Sequence, residues 1–413
     1  MSMRTLLLAL AVPFTAAVAG APPTVRTLGT VDVPNHRIEI VDWYAPGRLL
    51  VGTDSHWKTL AIFRVDSFDP PVLVPLQKTP EAPEDVVPLF TGEPTSVAVH
   101  PQHPVALVTT LGWHGRERGA LQFVDLRAGH EGERIGWMAT GFHPDSVAIS
   151  PDGRWAVVAN EGEGDPTTPG TVTVVDLSGL NLGHWITNGA LPTWDIPLTC
   201  RALETSSGDL EPEYIAITPD SRWAAVSLQE NDAVAFISLH EGPPRLAGAF
   251  GLSYGAQPDG LAWRPEPGTN RYLLAAAEEG LFDFHGRVLG HALSLWSVQP
   301  DGGQDIAREL SRVDLSALIA PGKKRKRIDP ESVKLTAWGA RTLALVTSER
   351  RDCVAVLDVT DPRQPTPCGQ LKTGTAPEGL LLIPDGQNLY VITGDEGDYD
   401  GPGEITIGVI TAP

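Results

Sequence analysis

An all-β fold, a seven-bladed β-propeller, is predicted by three features of this 413-residue sequence. Short runs rich in Val, Ile, Trp and Thr recur along its length, each the size of a strand. Tight-turn sequences such as Pro151-Asp152-Gly153 separate them: proline presets φ and glycine tolerates a positive φ. A proline followed by an acid stands before the first run of most units. The high content of glycine (42) and proline (37) fits many turns and few helices.

The clearest unit runs from His143 to Leu177, HPDSVAISPDGRWAVVANEGEGDPTTPGTVTVVDL. Its strands are expected at residues 146–150, 155–160 and 171–176, and its long loop carries Glu161, Glu163 and Asp165. In chain order, the alternating strand from Thr27 to Val33 comes first. A unit with runs at 37–41, 49–53 and 60–65 follows, without the proline-acid marker. The second unit has Pro94-Thr95 and runs at 96–99, 105–109 and 120–125. The fourth has Pro212-Glu213 and runs at 214–218, 223–228 and 233–239; its PDSRWAAV copies PDGRWAVV of the third. The fifth has Pro258-Asp259 and runs at 261–263, 272–277 and 292–298. The sixth has Pro330-Glu331 and runs at 332–335, 342–347 and 353–359. The seventh has Pro377-Glu378 and runs at 380–383, 389–393 and 404–410. A further short strand, as at 245–250 or 368–372, brings most units to four strands, the pattern of radial repetition. The seventh unit stops after its third run, so the strand from Thr27 to Val33 is expected to complete that blade and close the ring. The insertions 178–209, 279–290 and 300–327 are read as loops, with a short helix expected over 307–318.

Acids outnumber bases 51 to 31, a net charge of −20. This excludes nucleic acid as a partner, which requires basic surface, and suits divalent cations or cationic ligands. Arg4, an apolar run from Thr5 to about Val18 and the small-residue motif Ala17-Val18-Ala19 predict a signal peptide over residues 1–19. The mature chain, 20–413, is then one propeller domain, exported to the periplasm or outside the cell. No later run approaches the ~18 apolar residues of a transmembrane segment. Cys200, Cys353 and Cys368 lack metal-ligand spacing. Cys353 and Cys368 fall in neighbouring strands but offset from each other, which leaves a bridge between them open. The basic run from Lys323 to Arg327 is either a solvated loop or a surface for docking on an acidic neighbour, a second copy included.

In a propeller the first strand of each blade lines the channel and starts at the face to which the second strand returns. That places Asp145, Glu213, Asp259, Glu331 and Glu378 in one inner ring. The loops after the second strands add Asp54 and His56, Trp113 and His114, Glu161, Glu163 and Asp165, Gln229 and Glu230, Glu278 and Glu279, Glu349 and Arg350, and Asp395, Glu396 and Asp398. Clustered carboxylates raise one another's pKa unless a cation neutralises them. Hard oxygen ligands favour Ca2+ over zinc or copper, so Ca2+ is the cofactor left open. The competing reading is structural: each acid caps backbone N–H groups where its strand begins. Glu396-Gly-Asp-Tyr-Asp-Gly401 resembles the first half of an EF-hand loop, making Glu396, Asp398 and Asp400 metal candidates, although Ile407 stands where the closing Glu belongs. His114 beside the mouth is a candidate general base.

The segments EPEYIAITPDSRWAAVSLQENDAVAFISL and HPDSVAISPDGRWAVVANEGEGD, with APEGLLLIPDG and YVITGDEGD near the end, resemble the choice-of-anchor I family. These are secreted bacterial β-propellers related to YVTN-type propellers and to propellers described as alkaline phosphatases. The resemblance spans nearly the whole mature chain and implies a secreted propeller; it supplies no catalytic residues. The family name implies varied C-terminal anchors, and none is read in the closing ITAP. LLVGTDSHWKTLAIFRV is similar to a blade of bacterial β-propeller phytases, which use Ca2+ at an acidic channel mouth. Arg116, Arg118, Arg350 and Arg351 would have to supply the phosphate-binding bases. The expected function is binding of a protein or small-molecule ligand at the acidic channel face, without an assigned catalysis. The alternative is a Ca2+-dependent phosphoesterase on that same face.

Overall fold

Seven four-stranded antiparallel sheets form a ring in the computed structural model, which describes residues 22–33, 36–76, 89–112, 117–162, 168, 170–199, 210–281, 288–319, 327–397 and 403–411. β1 (Thr24–Val33) stands apart at the start. Blade 1 is β2 (Ile38–Tyr44), β3 (Leu49–Asp54), β4 (Thr59–Phe68) and β5 (Pro71–Pro75). Blade 2 is β6 (Pro94–Val99), β7 (Val105–Thr110), β8 (Arg118–Asp125) and β9 (Arg134–Phe142). Blade 3 is β10 (Pro144–Ile149), β11 (Trp155–Asn160), β12 (Thr171–Asp176) and β13 (Thr193–Pro197). Blade 4 is β14 (Pro212–Ile217), β15 (Trp223–Leu228), β16 (Ala233–Ser238) and β17 (Arg245–Gly251). Blade 5 is β18 (Pro258–Pro265), β19 (Tyr272–Glu278), β20 (Ala292–Val298) and β21 (Ala307–Asp314). Blade 6 is β22 (Pro330–Trp338), β23 (Arg341–Ser348), β24 (Cys353–Asp358) and β25 (Thr366–Lys372). Blade 7 is β26 (Pro377–Asp385), β27 (Asn388–Asp395) and β28 (Gly403–Thr411), with β1 as its outer strand.

The core lies between blades. Each of the seven blade-to-blade interfaces holds its own apolar cluster. β11 shows how one strand serves two of them. Trp155, Val157 and Ala159 pack toward blade 4, while Ala156 and Val158 pack toward blade 2. Both faces of a blade are therefore dry, and its second strand reads as an unbroken apolar run rather than an alternating one.

The ring closes as expected. β1 pairs antiparallel with β28 from Thr24 opposite Thr411 to Val33 opposite Gly403, so the first and last strands of the described chain lie side by side. The helix expected over 307–318 is not formed. Residues 307–314 are β21, and only Leu315–Ala317 makes a single 3-10 turn. Helix-favouring Ala, Arg, Glu and Leu lose here to the unpaired edge of β20, which β21 covers. The pairing also sets Arg312 of β21 on the buried carboxylate of Glu278, 2.7 Å away. The insertion 178–209, read as loop, likewise contains β13 as the outer strand of blade 3.

Cys353 and Cys368 are free thiols. Cys353 faces Lys372, and Cys368 sits at a register shift opposite Val356 and Leu357, too far along the ladder to bridge. Cys200 lies outside the described residues, as do residues 1–19. Among the described residues no helix is long and apolar enough to cross a membrane.

Deleting residues 24–33 is expected to strip amide-exchange protection from β28 while β15 and β16 stay protected. Equal protection in β28 with and without those residues would show that β1 does not latch the ring. Ile407→Ala, in a fully buried position of β28, should cost about 2–5 kcal/mol in a urea titration, the usual range for emptying a core site.

An acidic channel mouth as the candidate functional site

The innermost strand of every blade shifts register within its first few residues. The shifts fall between Ile38 and Val41, Pro94 and Ser96, Pro144 and Ser146, Pro212 and Ile215, Pro258 and Leu261, Pro330 and Val333, and Pro377 and Gly379. A bulge of this kind re-aims the side chain it carries. The residue after the proline lies in the bulge each time, and all five predicted ring acids line one cavity of about 490 Å³. In four blades the residue before the proline is forced into left-handed backbone: His143 (φ 47°), Gln257 (φ 43°), Asp329 (φ 39°) and Ala376 (φ 56°).

Glu39 of blade 1 and Thr95 of blade 2 complete the ring. Unit 1 lacks the proline-acid marker, as read, yet Glu39 stands at the acid's position. Ile38 stands in the proline's place, so a search for proline passed over the acid behind it. Thr95 is the single neutral member, and its hydroxyl donates to the carbonyl of Pro144, 2.7 Å away.

The six carboxyl groups are arranged in three pairs across adjacent blades. Asp145 and Glu213 hydrogen-bond to each other, as do Asp259 and Glu331. Glu378 faces the charge of Glu39 across the closure between blades 7 and 1. Each pair has a third acid at the first residue after a second strand: Glu161 for the first, Glu279 for the second and Glu396 for the third. Each third acid is held by a base, with His143 2.5 Å from Glu161, Arg327 2.6 Å from Glu279 and Arg37 3.4 Å from Glu396. In the first group Asp145, Glu161 and Glu213 each offer one oxygen, all within 4.8 Å of one another.

Burial dominates the electrostatics. It lifts Asp145 to about 7, with Glu161 and Asp259 adding to the rise. It also lifts Glu39 to about 7 against a hydrogen bond from Ser55 (2.6 Å), and Glu279 to about 7 with Asp329 adding to the rise. Glu213, Glu331 and Glu378 are pushed well above the ordinary carboxylate range, by burial first and then by their neighbours. Asp259 is raised by burial too.

The backbone-capping reading does not describe these acids. Among the described residues no backbone N–H is hydrogen-bonded to the carboxylates of Asp145, Glu213, Asp259, Glu331 or Glu378. Capping is done instead from the preceding blade. Asp232 accepts from the N–H groups of Gly255 (2.7 Å) and Gln257 (2.8 Å), and Asp352 accepts from Ala376 N–H (3.2 Å).

The other expected mouth residues separate. Glu349 lies 2.7 Å from Arg350 and adds its field to Glu378 and Glu279. Glu230 is exposed and takes a hydrogen bond from Gln257 (3.2 Å), while Gln229 donates to Glu279 (2.8 Å). Glu278 departs from the expectation: it turns to Arg312 in the outer half of blade 5. One residue along a strand end reverses the face, so Glu279 reaches the mouth and Glu278 does not. Asp54 is buried behind the ring, paired with His36 and accepting from the N–H of Trp57 (3.2 Å), and its charge adds to the rise of Glu39. Asp395 is enclosed by Thr393 and Thr406. Of the proposed phosphate-binding bases, Arg118 is engaged by Asp195 (2.6 Å) and Arg350 by Asp329 (2.9 Å). His114, Arg116, Glu163, Asp165, Asp398 and Asp400 lie outside the described residues, as does the basic run up to residue 326.

The choice-of-anchor I domain matches residues 61–252. That match covers blades 2 to 4 and part of blade 1, and contains Asp145, Glu161 and Glu213. Among solved structures, the periplasmic gluconolactonase PpgL of Pseudomonas aeruginosa is similar, with a TM-score of 0.58 and 17% identity. The alignment covers 88% of this chain and 98% of that one, and at this identity it speaks for the propeller fold. No curated protein matches the chain in sequence.

A carboxyl raised in the folded state keeps its proton longer there than in the unfolded chain. Its stabilising effect is therefore complete below the unfolded value and is lost as pH rises through the folded value. With chelator present, the melting temperature is expected to fall between about pH 4.5 and 8 as these acids lose protons. Asp145→Asn combined with Glu213→Gln should flatten that fall. An equally steep fall in the double variant would remove this pair as its source.

Proposed function

We propose that this is an exported propeller that binds a small-molecule ligand at its acidic channel mouth through divalent cation, with Ca2+ the first candidate. The observation that carries the reading is the convergence of Asp145, Glu161 and Glu213, whose oxygens lie within 4.8 Å of one another. Oxygens around one Ca2+ sit about 2.3–2.6 Å from the ion, so such a spacing suits a shared ligand set. A cation would also relieve the repulsion that now holds these acids near their protonated forms. Glu279 with Asp259 and Glu331 repeats the composition, and Glu396 with Glu39 and Glu378 is a third group of three acids. Export is supported by the signal-like residues 1–19, by the choice-of-anchor I match and by the periplasmic origin of the similar gluconolactonase.

A hydrolase is the second reading, favoured by Asp145. Without cation its carboxyl is lifted to about 7, and in a complex where Glu161 and Glu213 hold the ion, an Asp145 left off it could take a proton from an attacking water. A bound cation would supply the Lewis acid and a more acidic water. The similar fold of a gluconolactonase makes a lactone the first ester to try. For a phosphate ester, Arg118 and Arg350 are already engaged by carboxylates, so the phosphate charge would fall to the cation and to other bases.

Calcium at about a hundredfold excess over its dissociation constant should stabilise the protein by about 2.7 kcal/mol. Asp145→Asn with Glu213→Gln is expected to reduce that gain, and Glu230→Gln to leave it intact. Turnover of gluconolactone and of 4-nitrophenyl phosphate, with Ca2+ and with chelator, separates the two readings. Ca2+-dependent turnover lost in the double variant would establish the hydrolase. No thermal response to Ca2+ at pH 8 would sink the cation site altogether.

A further inference from the structure

Below the carboxylate ring the same cavity is lined by a group of opposite character. Lys334 of β22 and Tyr214 of β14 both reach it, from blades 6 and 4, on either side of blade 5. The Lys334 ammonium donates to the Tyr214 hydroxyl at 3.1 Å and lies 5.7 Å from the centre of its ring. Among the described residues no carboxylate comes within 4.0 Å of that ammonium. Asp42, an acid whose charge acts on it, is already held by the backbone N–H groups of Val99 (2.7 Å) and Trp43 (2.8 Å).

Hydrogen-bond capacity makes this arrangement informative. An ammonium has three donors and Tyr214 takes one. The Tyr214 oxygen accepts from Lys334, so its own proton is left to donate, and no acceptor for it is found among the described residues. Two N–H groups and one O–H therefore converge on the cavity with a positive charge behind them and no acceptor supplied by the protein. Both side chains are half-buried in the channel wall, so donors left without a protein acceptor face the cavity's contents. A charge-assisted bond to an anionic oxygen would match them.

We infer that Lys334 and Tyr214 form an oxyanion subsite, and that the channel's ligand carries a carboxylate or phosphate group that is seated there. The inference rests on the proposed cation-dependent reading of the mouth and adds to it the polarity of the ligand. The ligand is anionic at its inner end and chelates cation with oxygens at its outer end. Cation at the ring also lets an anion pass six carboxyl groups that would otherwise repel it.

The test uses glycolate, the two-carbon hydroxy acid, against ethylene glycol, its neutral counterpart, with inorganic phosphate as a third arm. Binding to the Ca2+-loaded full-length protein is followed by calorimetry, and the same samples are titrated with Tb3+ for luminescence at the ring. Glycolate or phosphate is expected to bind and ethylene glycol not to; whichever anion binds more tightly identifies the group. Lys334→Met should weaken that anion at least about tenfold, and Tyr214→Phe by a smaller factor, as loss of hydrogen bonds to a charged group would. Both variants should retain Tb3+ binding. Lys334→Arg keeps the charge and should retain most of the affinity, which guards against a misfolded methionine variant. Anion affinity unchanged in Tyr214→Phe and Lys334→Met, or ethylene glycol binding as well as glycolate, would overturn the subsite. Loss of Tb3+ binding in the unmutated protein would instead count against the cation reading, with the Lys334 comparison then made without Ca2+ at about pH 5, where the ring acids carry protons.

Discussion

At the channel mouth Asp145 and Glu213 share a hydrogen bond while burial and Glu161 push both toward their protonated forms. The same tension is set up between Asp259 and Glu331 and between Glu378 and Glu39. Carboxyl groups would relax apart in a flexible loop. Here they cannot, because each sits in a bulge of an innermost strand whose remaining residues are locked in a ladder. The bulge is thus the constraint from which the rest follows: it turns one side chain per blade into the channel and keeps it there.

That constraint is backed by the packing between blades. Seven apolar interfaces, one for each neighbouring pair, fix the blades against one another, and β1 on β28 completes the blade that closes the ring. A candidate site placed on strand starts inherits this rigidity, whereas the loops around it only tune the field. Arg37, Arg327 and His143 illustrate the tuning: each partly neutralises an outer acid and leaves the inner pair to repel.

Much of this was legible from repetition alone. Turn chemistry and apolar runs gave seven units, and the unmatched first strand told how they close. The five acids that follow prolines were readable because one offset recurs. Glu39 was not, since isoleucine replaced the proline that served as the signal. The choice between Glu278 and Glu279 was beyond a pattern reading, because a single residue at the end of β19 decides which face is met. The strand at 307–314 was hidden by helix-forming residues, whose local preference is smaller than the cost of an open sheet edge. Lys334 left no trace at all. A lysine within Ser-Val-Lys-Leu looks like any exposed strand residue until the ring brings Tyr214, two blades away, to meet it.

Seven is an odd number, and pairing needs an even one. Six blades give their inner side chains to three couples, so one blade must be left over, and blade 2 is that one, with Thr95 in place of an acid. The mouth consequently has no rotational symmetry of charge. Its negative potential is interrupted at a single seam, where a hydroxyl bound to Pro144 offers neither charge nor a free donor. A molecule with one negative end would find its lowest barrier along that seam, so the parity of the blade count would give an approaching anion a preferred side.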